Sequence, residues 1–585
     1  MEANWLDVKS KLGTVFYALS QTIDEFDKDF TPEVRVADPR FGDFQVNGVL
    51  GFAKKNKKNP RELGEKLLIK AKQSDDLADC SLELSGPGFI NIRLTPDFLR
   101  KWVSTFCGRC DFKQWLVGKT IVIDYSSPNT AKQMHVGHLR SMIIGESIQR
   151  LLRFCGANVI RDNHIGDWGT QFGILIMAIK REKFDITAID PTAALDEFER
   201  LYREGVALTK QNQTFLDEAR RELVALQKGD LENLHIWKAI NTVSYRAFEK
   251  IYNQMGVVFD YVLGESFYRD KVDHVCNELE ALGIAEKNQG ALVVFHREHG
   301  RFKDQPFLIR KSDGASNYAT TDLATVLYRW ENFLADTIIY VTDGRQQDHF
   351  QQLFLTVERW FSAKNIPLPQ LKHVWFGTVL GEDGRAIKTR SGESIKLKQL
   401  IDESIARARA IVTEKNPDLL SVEREKIAHS VGTGAIKYAD LSQNRTNDYV
   451  FSWNKMLSFD GNTAPYLLYA VARIYTLFQR LNLSPHGRRE PKSMADFSTP
   501  EELALARKLV DFPNTIAQVL HDLKPHDLCT YLFELTSEFS TFYKADRIIG
   551  ETEDIFEKRL LLCQFVLYVL ETGLYLLGIE KLEKM

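Results

Sequence analysis

The chain has 585 residues, of which 44% are hydrophobic and 26% are charged, with 35 glycines and 17 prolines. This composition is that of a globular protein and excludes collagen-like and low-complexity chains, while the length allows about three domains of about 150–200 residues. The net charge of −3 excludes a uniformly basic chain and confines any nucleic-acid contact to local patches.

Cysteine usage and the two ends of the chain indicate a cytoplasmic protein. Seven cysteines are few and odd in number, which favours a reducing compartment. Cys107 and Cys110 form a single CxxC without a second pair nearby, so two surface or half-buried thiols are favoured over a zinc or redox site. The first residues are charged and show no signal peptide. The apolar run over residues 560–580 is interrupted by Gln564 and Glu571, which predicts a buried helix and no membrane partner.

Residues 1–112 predict a small α+β domain. An amphipathic helical pattern is followed by "CSLELSGPGFINIRL" at 80–94, which alternates like two strands joined at Pro87-Gly88. Lys54, Lys55 and two further lysines at 57 and 58 form a basic cluster. Such a cluster is either a solvated helix end or a contact for phosphate groups.

Residues 113–454 alternate between strand and helix patterns. The strand segments are "KTIVIDYSS", "NVIRDNHIGDWG", "DTIIYVTDG" and "KHVWFGTVLG", and helical patterns separate them. This alternation predicts an α/β domain with a parallel sheet, whose ligands bind at the carboxyl ends of the strands. Residues of about 185–285 form a helical insertion, and residues 455–585 show only helical periodicity, which predicts an all-α bundle.

The segment "SSPNTAKQMHVGHLRS", residues 126–141, lies between a predicted strand and a predicted helix. The amino end of a helix offers unpaired N–H groups for phosphate, and Gly137 allows a ligand close to the backbone. His135 and His138 can donate hydrogen bonds to phosphate oxygens, and Lys132 adds a mobile charge. The pattern therefore predicts a nucleotide site, with a structural coincidence as the alternative.

Together, "DYSSPNTAKQMHVGHLRSMIIG" and "VIRDNHIGDWGTQFG" resemble the class I aminoacyl-tRNA synthetases and, among them, the arginyl-tRNA synthetases. The resemblance extends over nearly the whole chain and implies a Rossmann-like catalytic domain, an N-terminal added domain and a C-terminal anticodon-binding bundle. It also implies that a tetrapeptide equivalent to HIGH binds ATP. The implied ATP-binding residues are His135, Val136, Gly137, His138, Gly166 and Asp167.

The resemblance further implies an arginine pocket. Taken alone, Tyr318 would be a core residue and Glu265 a surface charge, but "SNYATTDLA" and "GES" both match pocket segments of the family. Asp322 lies four residues after Tyr318, on the same face of a helix, and a carboxylate there suits a guanidinium. The implied arginine-binding residues are Asp124, Asn129, Glu265, Tyr318, Asp322 and Gln346, with His349 nearby.

One segment departs from the family pattern. Class I enzymes usually carry KMSKS on a loop, whereas the matching "GEDGRAIKTRSGESIKL" at 381–397 has no clean form of that motif. Arg385 and Lys388 lie near the expected place, and Lys388 is a candidate catalytic residue. In many arginyl enzymes, the lysine ahead of HIGH supplies the missing charge; Lys132 is that residue here. The predicted catalytic set is therefore Lys132, His135, His138 and Lys388.

Two regions are expected to bind tRNA. In the N-terminal domain, "FGDFQVN" resembles the segment that reads the tRNA D-loop, with Phe44 stacking on a base and Asn47 bonding its edge. In the C-terminal bundle, aromatic residues among cations suit unstacked bases, although most aromatic side chains there must be core. The predicted tRNA-binding residues are Phe44, Asn47, Lys54, Lys55, Tyr543 and Met585.

The resemblance implies ligation of L-arginine to tRNA(Arg) by way of arginyl-adenylate, with ATP and substrate-bound Mg²⁺, no metal bound by the protein, and tRNA required for efficient activation. A monomer is expected because the chain supplies separate catalytic and tRNA-binding regions. Three alternatives stay open: another nucleotidyl-transfer enzyme, a non-catalytic RNA-binding relative, and a class I synthetase for another amino acid. The first leaves the C-terminal helices without a role, and the second requires site residues to be missing.

Overall fold

A computed structural model describes residues 2–186, 190–312, 314, 317–381, 383–385, 395–486 and 494–585. Its contacts divide the chain into two compact units. One unit comprises Met1–Asp111, Ser458–Tyr575 and Lys581–Met585, and the other comprises Phe112–Leu457 and Leu576–Glu580.

The first unit begins with a small α+β region. Its elements are α1 Val8–Ser20, β1 Val34–Val36, β2 Phe44–Val46, α2 Gly48–Lys55, α3 Pro60–Lys72, β3 Cys80–Ser85, β4 Phe89–Leu94 and α4 Pro96–Phe106. The strands form an antiparallel sheet in the order β1-β2-β4-β3. The strand–turn–strand prediction is confirmed, because β3 and β4 pair from Cys80↔Leu94 to Ser85↔Phe89.

The second unit contains the parallel sheet and its insertions. Its strands are β5 Thr120–Asp124, β6 Asn158–Asp162, β7 Glu286–Asn288, β8 Ala291–Val294, β9 Phe307–Arg310, β10 Thr337–Tyr340, β11 Gln370–His373, β12 Val379–Leu380 and β13 Tyr449–Val450. Its helices are α5 Val136–Phe154, α6 Gln171–Glu182, α7 Pro191–Gln211, α8 Gln213–Gln227, α9 Leu231–Gln254, α10 Glu265–Tyr268, α11 Val272–Ala281, α12 Tyr318–Phe333, α13 Gln347–Ala363, α14 Leu397–Lys415, α15 Ser421–Leu441 and α16 Trp453–Met456.

The predicted parallel sheet is confirmed, in the order β11-β10-β5-β6. Its two middle strands are buried on both faces, as the apolar runs "IVI" and "II" require; Val122, Ile123 and Ile338 have no exposed surface. Along the chain, β5 leads to β6 on one side while β10 leads to β11 on the other. The strand order therefore switches between β5 and β10, which is where such sheets bind ligands.

Two features of this unit were not predicted. Along the chain, β7, β8 and β9 come between the helical insertion and α12, and they form an antiparallel sheet. This sheet was not predicted because its strands are too short to show a clear alternation pattern. The long helices α14 and α15 also had no prediction of their own. The insertion itself is helical as expected, with α7, α8 and α9 packing on one another and on α6.

The C-terminal part of the first unit is helical in its described residues, as predicted. Its helices are α17 Ala464–Arg480, α18 Pro500–Val510, α19 Phe512–Asp522, α20 Pro525–Ala545 and α21 Glu553–Leu576. Glu502 completes the capping box of α18 and accepts from Lys558 at 2.8 Å and Arg559 at 2.7 Å. All three side chains are buried, so this ion cluster fixes α18 against α21.

Helix α21 is long and apolar enough to cross a membrane by length and composition, but 72% of its most apolar window is buried inside the fold. It therefore serves as a core helix, as the interrupted apolar run predicted. Trp102 of α4 stacks on Phe565 of this helix, with 5.5 Å between ring centres. All seven cysteines are free thiols, and burial raises the pKa of Cys107 to about 12, which makes it a poor nucleophile.

Candidate active site

The loops that follow β5 and β10 meet at the switch point of the parallel sheet. The two strands pair in parallel up to Asp124↔Tyr340, so the segments after them leave the sheet side by side. The first segment leads to His135 and α5, and the second to Asp343 and α13. This topology brings the two loops to one edge of the sheet.

His135 and His138 form the capping box at the start of α5. Nδ1 of His135 accepts a hydrogen bond from the Gly137 amide at 3.1 Å, and Nδ1 of His138 accepts one from the His135 amide at 3.1 Å. In a neutral imidazole the proton then lies on Nε2. The capping box therefore fixes both tautomers and leaves each Nε2–H as a donor.

The surroundings keep both imidazoles neutral. Burial, then His135 and Lys132, lowers the pKa of His138 to about 3. Desolvation, then the cations Arg345 and Lys132, lowers the pKa of His135. Two neutral donors at a helix amino end, with two cations close by, form a site for an anion.

The loop from Tyr125 to Met134 is held in an unusual backbone conformation. Ser126, Ser127 and Ala131 have φ angles of 74°, 46° and 63°, in the left-handed region that costs about 1–3 kcal/mol for each non-glycine residue. Their amides donate to side chains elsewhere in the unit: Ser141 Oγ at 2.8 Å, Asn163 Oδ1 at 3.0 Å and Ser244 Oγ at 3.0 Å, respectively. These bonds stabilise the strained loop.

Two predicted site residues project from this loop. Asn129 and Lys132 are both exposed. The Lys132 ammonium lies 5.4 Å from the ring centre of Tyr202, which positions it by a cation–π contact while it remains close enough to lower the pKa values of both histidines. The structure thus brings Lys132, His135 and His138 together.

Asp124, predicted to bind arginine, has partners inside the protein. Its carboxylate accepts from Arg329 Nη2 at 2.7 Å and from Ser127 Oγ at 2.9 Å. The same guanidinium donates to Asp162 at 2.8 Å, and all three charged side chains are buried. Through its hydrogen bond with Ser127, Asp124 therefore stabilises the strained loop. Its contact with arginine stays a prediction.

Gly166 and Asp167, predicted to bind ATP, pack against other site segments. A Cβ added at Gly166 would lie 2.0 Å from Asn129 Oδ1, so only glycine permits that contact. The Asp167 carboxylate accepts from the Ser266 amide at 2.8 Å, the Ser266 hydroxyl at 2.6 Å and the Tyr245 hydroxyl at 3.1 Å. Asp167 thereby fixes the segment that carries Glu265, while its contact with ATP stays a prediction.

The predicted arginine pocket gathers carboxylates from separate segments. Burial, and then the nearby carboxylates Asp322 and Asp167, raises the pKa of Glu265 to about 7, against an opposing effect of His164. Asp322 Oδ2 lies 2.6 Å from His349 Nε2, and the Tyr318 ring centre lies 4.9 Å from that of His349. A half-buried pair of carboxylates that repel each other is a site for a cation.

Gln346 and Lys388 are the remaining residues predicted at this edge of the sheet. Gln346 is exposed at the start of α13. Lys388 lies in 386–394, outside the described residues. The segment from Ile395 to Leu397 lies beside His135, because Val136 N donates to Ile395 O at 3.3 Å and Leu397 N to Met134 O at 2.8 Å.

Two residues of the site were missed by the sequence analysis. Arg345 is exposed, pairs with Asp343 at 2.8 Å and lowers the pKa of His135. His164 Nδ1–H donates to the Leu263 carbonyl at 3.0 Å, and His164 opposes the rise in the pKa of Glu265. Arg345 follows β10 and His164 follows β6, so both lie at the predicted ligand-binding edge of the sheet. That position was the signal available in the sequence.

Among the predicted tRNA-binding residues of the N-terminal region, Phe44 requires a correction. Its side chain is only 4% exposed, because alternate residues of β2 point into the core, and it offers no face to a base. Asn47 is half-buried, while Lys54 and Lys55 are exposed at the end of α2. Lys55 pairs with Asp29 at 3.1 Å, so this basic cluster is partly neutralised.

In the C-terminal bundle, Tyr543 and Met585 are half-buried. The guanidinium carbon of Arg473 lies 5.6 Å from the Tyr543 ring centre and 4.8 Å from that of Tyr469. Tyr469 is 45% exposed, so a Tyr–Arg–Tyr group is present on the surface of α17 and α20. Stacking of bases on this group stays a prediction.

Three family models match the chain. The model described as tRNA synthetases class I (R), catalytic domain, matches residues 110–453. The DALR anticodon binding domain matches residues 467–585, and the arginyl tRNA synthetase N terminal domain matches residues 14–94. Together these models account for both units and for the predicted order of regions along the chain.

Curated relatives and solved structures agree with the family models. An arginine–tRNA ligase of Laribacter hongkongensis is 41% identical over 555 residues, 94% of either chain. One of a Marinomonas species is 42% identical over 93% of this chain and 94% of that protein. The structure of arginyl-tRNA synthetase from Plasmodium falciparum matches with a TM-score of 0.83 at 28% identity, covering 99% of each chain. The Thermus thermophilus enzyme shares the fold with a TM-score of 0.83 at 24% identity.

Proposed function

The chain belongs to the arginyl-tRNA synthetases, and we propose that the switch point of its parallel sheet is where it activates L-arginine with ATP. Its activity is that of an arginine–tRNA ligase, a class I aminoacyl-tRNA synthetase. The observation that carries the proposed site is the meeting of the His135–His138 capping box with Lys132 at the carboxyl end of β5. The order of strands makes this edge the ligand-binding edge.

ATP binds at the amino end of α5. Each Nε2–H of His135 and His138 donates to a phosphate oxygen, and Val136 and Gly137 leave room for the nucleotide beside the backbone. Because both imidazoles are neutral, their hydrogen bonds strengthen as negative charge develops in the transition state, without a proton transfer. Gly166 and Asp167 complete the walls on the adenosine side.

Arginine binds between Glu265 and Asp322. Two carboxylates match the charge and the planar donors of a guanidinium, and Tyr318 covers the same face of α12. Asn129 and Gln346 hold the amino-acid end, and Asp124 acts through the loop that carries Asn129. His349 Nε2 lies 2.6 Å from the Asp322 carboxylate, so bound arginine would exchange this imidazole partner for a guanidinium.

The first reaction step transfers the adenylyl group. A carboxylate oxygen of arginine attacks the α-phosphorus of ATP, the bond to the bridging α–β oxygen breaks, and pyrophosphate leaves with that electron pair. The protein supplies position and charge stabilisation, and no covalent nucleophile is needed. Lys132 stabilises the leaving pyrophosphate, a role in which Lys388 is the second candidate.

The second step transfers the arginyl group to tRNA. The 2′-hydroxyl of the terminal adenosine attacks the arginyl carbonyl carbon, AMP leaves as its phosphate oxygen takes the bonding electrons, and the hydroxyl proton passes to the leaving phosphate. Lys54, Lys55 and Asn47 of the N-terminal region and Tyr543 and Met585 of the C-terminal region contact tRNA(Arg). Phe44 takes part only as a core residue beneath that surface.

Mg²⁺ enters with ATP, because phosphate oxygens are the hard ligands that this ion prefers. Within the described residues, no group of three or more His, Cys, Asp or Glu side chains is placed to hold a metal. Bound Mg²⁺ would screen the phosphate charges. The enzyme acts as a monomer in the cytoplasm.

The test is ATP–pyrophosphate exchange with purified protein and L-arginine, with and without cognate tRNA. Exchange only in the presence of tRNA supports both the site and tRNA-dependent activation. Exchange without tRNA keeps arginine as the substrate and refutes the dependence on tRNA. Folded protein that binds tRNA but shows no exchange under either condition would instead indicate a non-catalytic RNA-binding relative.

A further inference from the structure

A cavity of about 340 Å³ lies in the second unit, between α9 and the segment 257–262 that follows it. Its walls are largely apolar and aromatic, with Phe248, Tyr252, Val257 and Phe259 among the lining residues. The volume falls in the range of sites that enclose small organic ligands, which is about 300–1,000 Å³. None of its lining residues belongs to the proposed ATP, arginine or tRNA sites.

The cavity shares one wall with the proposed arginine pocket. The extended segment after β6 alternates, so Asn163 and Ile165 line the cavity while the His164 ring lies on the other side, 5.5 Å from the ring centre of Tyr268 and close to Glu265. Tyr245 also lines the cavity, and its hydroxyl donates to Asp167 at 3.1 Å. A ligand in the cavity would thus lie one residue layer from the arginine pocket without entering it.

The polar groups at the cavity favour a cation. Glu249 and Asn253 lie on one face of α9, are exposed, and contribute to the lining. Within the described part of the chain Glu249 has no ion-pair partner, whereas its neighbour Lys250 is paired with Asp190 at 3.1 Å. The faces of Tyr245, Phe248 and Tyr252 attract an ammonium ion as well as an aromatic ring.

The mouth of the cavity is accessible and carries apolar side chains beside Glu249. Val258 and Val262, which both line it, are 56% and 48% exposed. Solvent-exposed valines above an aromatic cavity lose water contact when a ligand with an apolar body enters. The ligand class that satisfies both features is a small aromatic ring with an ammonium group on a short arm.

We propose that this cavity is a binding site for a small aromatic ammonium ion, separate from the arginine pocket and adjacent to it. The ring packs among Phe248, Tyr252 and Phe259, and the ammonium group reaches Glu249 at the mouth. By thermodynamic linkage, any effect of the ligand on arginine affinity must equal the effect of arginine on ligand affinity.

The probe is 4-fluorobenzylammonium, followed by ¹⁹F NMR on the full chain, with 4-fluorobenzyl alcohol as the neutral match. We expect saturable binding with a Kd of about 1 mM or tighter, retained in saturating L-arginine. The alcohol should bind about two- to fivefold more weakly, the size of effect expected for one partly exposed charge. Glu249→Gln should remove that difference while both compounds still bind.

Val262→Trp, which fills the mouth, should abolish binding, and Val258→Trp is the second variant if the first does not fold. Val422→Trp places the same ring at an 82% exposed position of α15 and should leave binding unchanged. Absence of binding to folded protein, loss of binding in saturating L-arginine, or binding that survives both filling variants would overturn the proposal. Since binding is read without turnover, these outcomes are independent of the proposed function.

Discussion

The two halves of the proposed site recognise opposite charges by different means. On the ATP side, most donors are neutral: a helix amino end and two imidazoles whose tautomers are fixed by the capping box, with Lys132 as the one charged group proposed there. On the arginine side, recognition depends on charged side chains, Glu265 and Asp322, which repel each other until a cation arrives. The ATP half has its donors in place before the nucleotide binds. In the arginine half, repulsion between the carboxylates of Glu265 and Asp322 destabilises the free enzyme, and bound arginine relieves it.

The largest expected effect follows from removing the charge of the arginine side. Asp322→Asn should lower kcat/KM for arginine by about 10³-fold, because a desolvated guanidinium would lose a charged acceptor. Steady-state aminoacylation measures it. Glu331→Gln removes an exposed charge from the same helix and should change the value less than about twofold. Equal effects of the two variants would contradict the assignment of Asp322.

On the ATP side, Lys132→Ala should lower the rate of adenylate formation by about 10²–10³-fold, the usual cost of one preorganised transition-state donor. The KM for arginine should change little, since Lys132 lies with the histidines. Pre-steady-state adenylate formation is the measurement, and Lys228→Ala, at another exposed lysine, is the control. If adenylate forms at the normal rate in Lys132→Ala, another group stabilises the pyrophosphate.

A third test separates two roles of His135, the capping of α5 and the proposed contact with ATP. His135→Asn should keep the start of α5, because Asn is a strong N-cap residue, yet lower the adenylation rate by about 10²-fold through loss of the Nε2–H donor. His135→Ala should show the same rate loss and in addition about 1 kcal/mol of destabilisation. The measurements are the adenylation rate and the denaturant midpoint of unfolding for both variants. A normal adenylation rate in His135→Asn would limit His135 to capping.

The contrast between the halves also explains what the sequence could reveal. On the ATP side, Lys132 and the histidine segment lie within sixteen consecutive residues, 126–141, where local chemistry and resemblance agree, and only Gly166 and Asp167 come from a second segment. The arginine side combines segments near residues 265, 320 and 346, and each is unremarkable alone. Only their joint resemblance to one family predicted that they meet, and the capping bonds, the neutral histidines and the raised pKa of Glu265 required the folded structure.

Two residues show where sequence patterns were insufficient or underused. The Phe44 prediction is wrong because Phe44 and Val46 occupy the buried face of β2 while Gln45 is half-buried; alternation along the strand was the available warning. For Asp124, no sequence pattern indicates that Arg329, about two hundred residues later in the chain, donates to both Asp124 and Asp162. Long-range ion pairs of this kind have no local pattern.

The cation side should be more sensitive to pH than the ATP side. Glu265 has a pKa of about 7 because of burial and neighbouring carboxylates, so it is protonated below pH 7 and cannot pair fully with arginine. The KM for arginine should rise by up to about tenfold for each pH unit below 7 and level off above pH 8. The KM for ATP, whose histidines stay neutral, serves as the internal control. Glu265→Gln should flatten the dependence of the KM for arginine on pH. If the variant kept the wild-type dependence, Glu265 would be excluded from arginine binding.

The smallest expected effect tests the destabilisation of the free enzyme directly, in the unliganded protein. The folded-state pKa of Glu265 is raised from 4.5 to about 7, so the stability linked to this group is fully present below pH 4.5 and is lost as pH rises through 7. Glu265→Gln should therefore stabilise the protein at pH 8 by about 2 kcal/mol, or a few °C in Tm, and have little effect at pH 4.5. Differential scanning fluorimetry at both pH values measures this, and saturating L-arginine should reverse the sign at pH 8, because only the carboxylate gains the ligand's charge. A variant less stable than the wild type at pH 8 without arginine would show that Glu265 is already satisfied in the free enzyme, and the two halves of the site would then not differ in the way proposed.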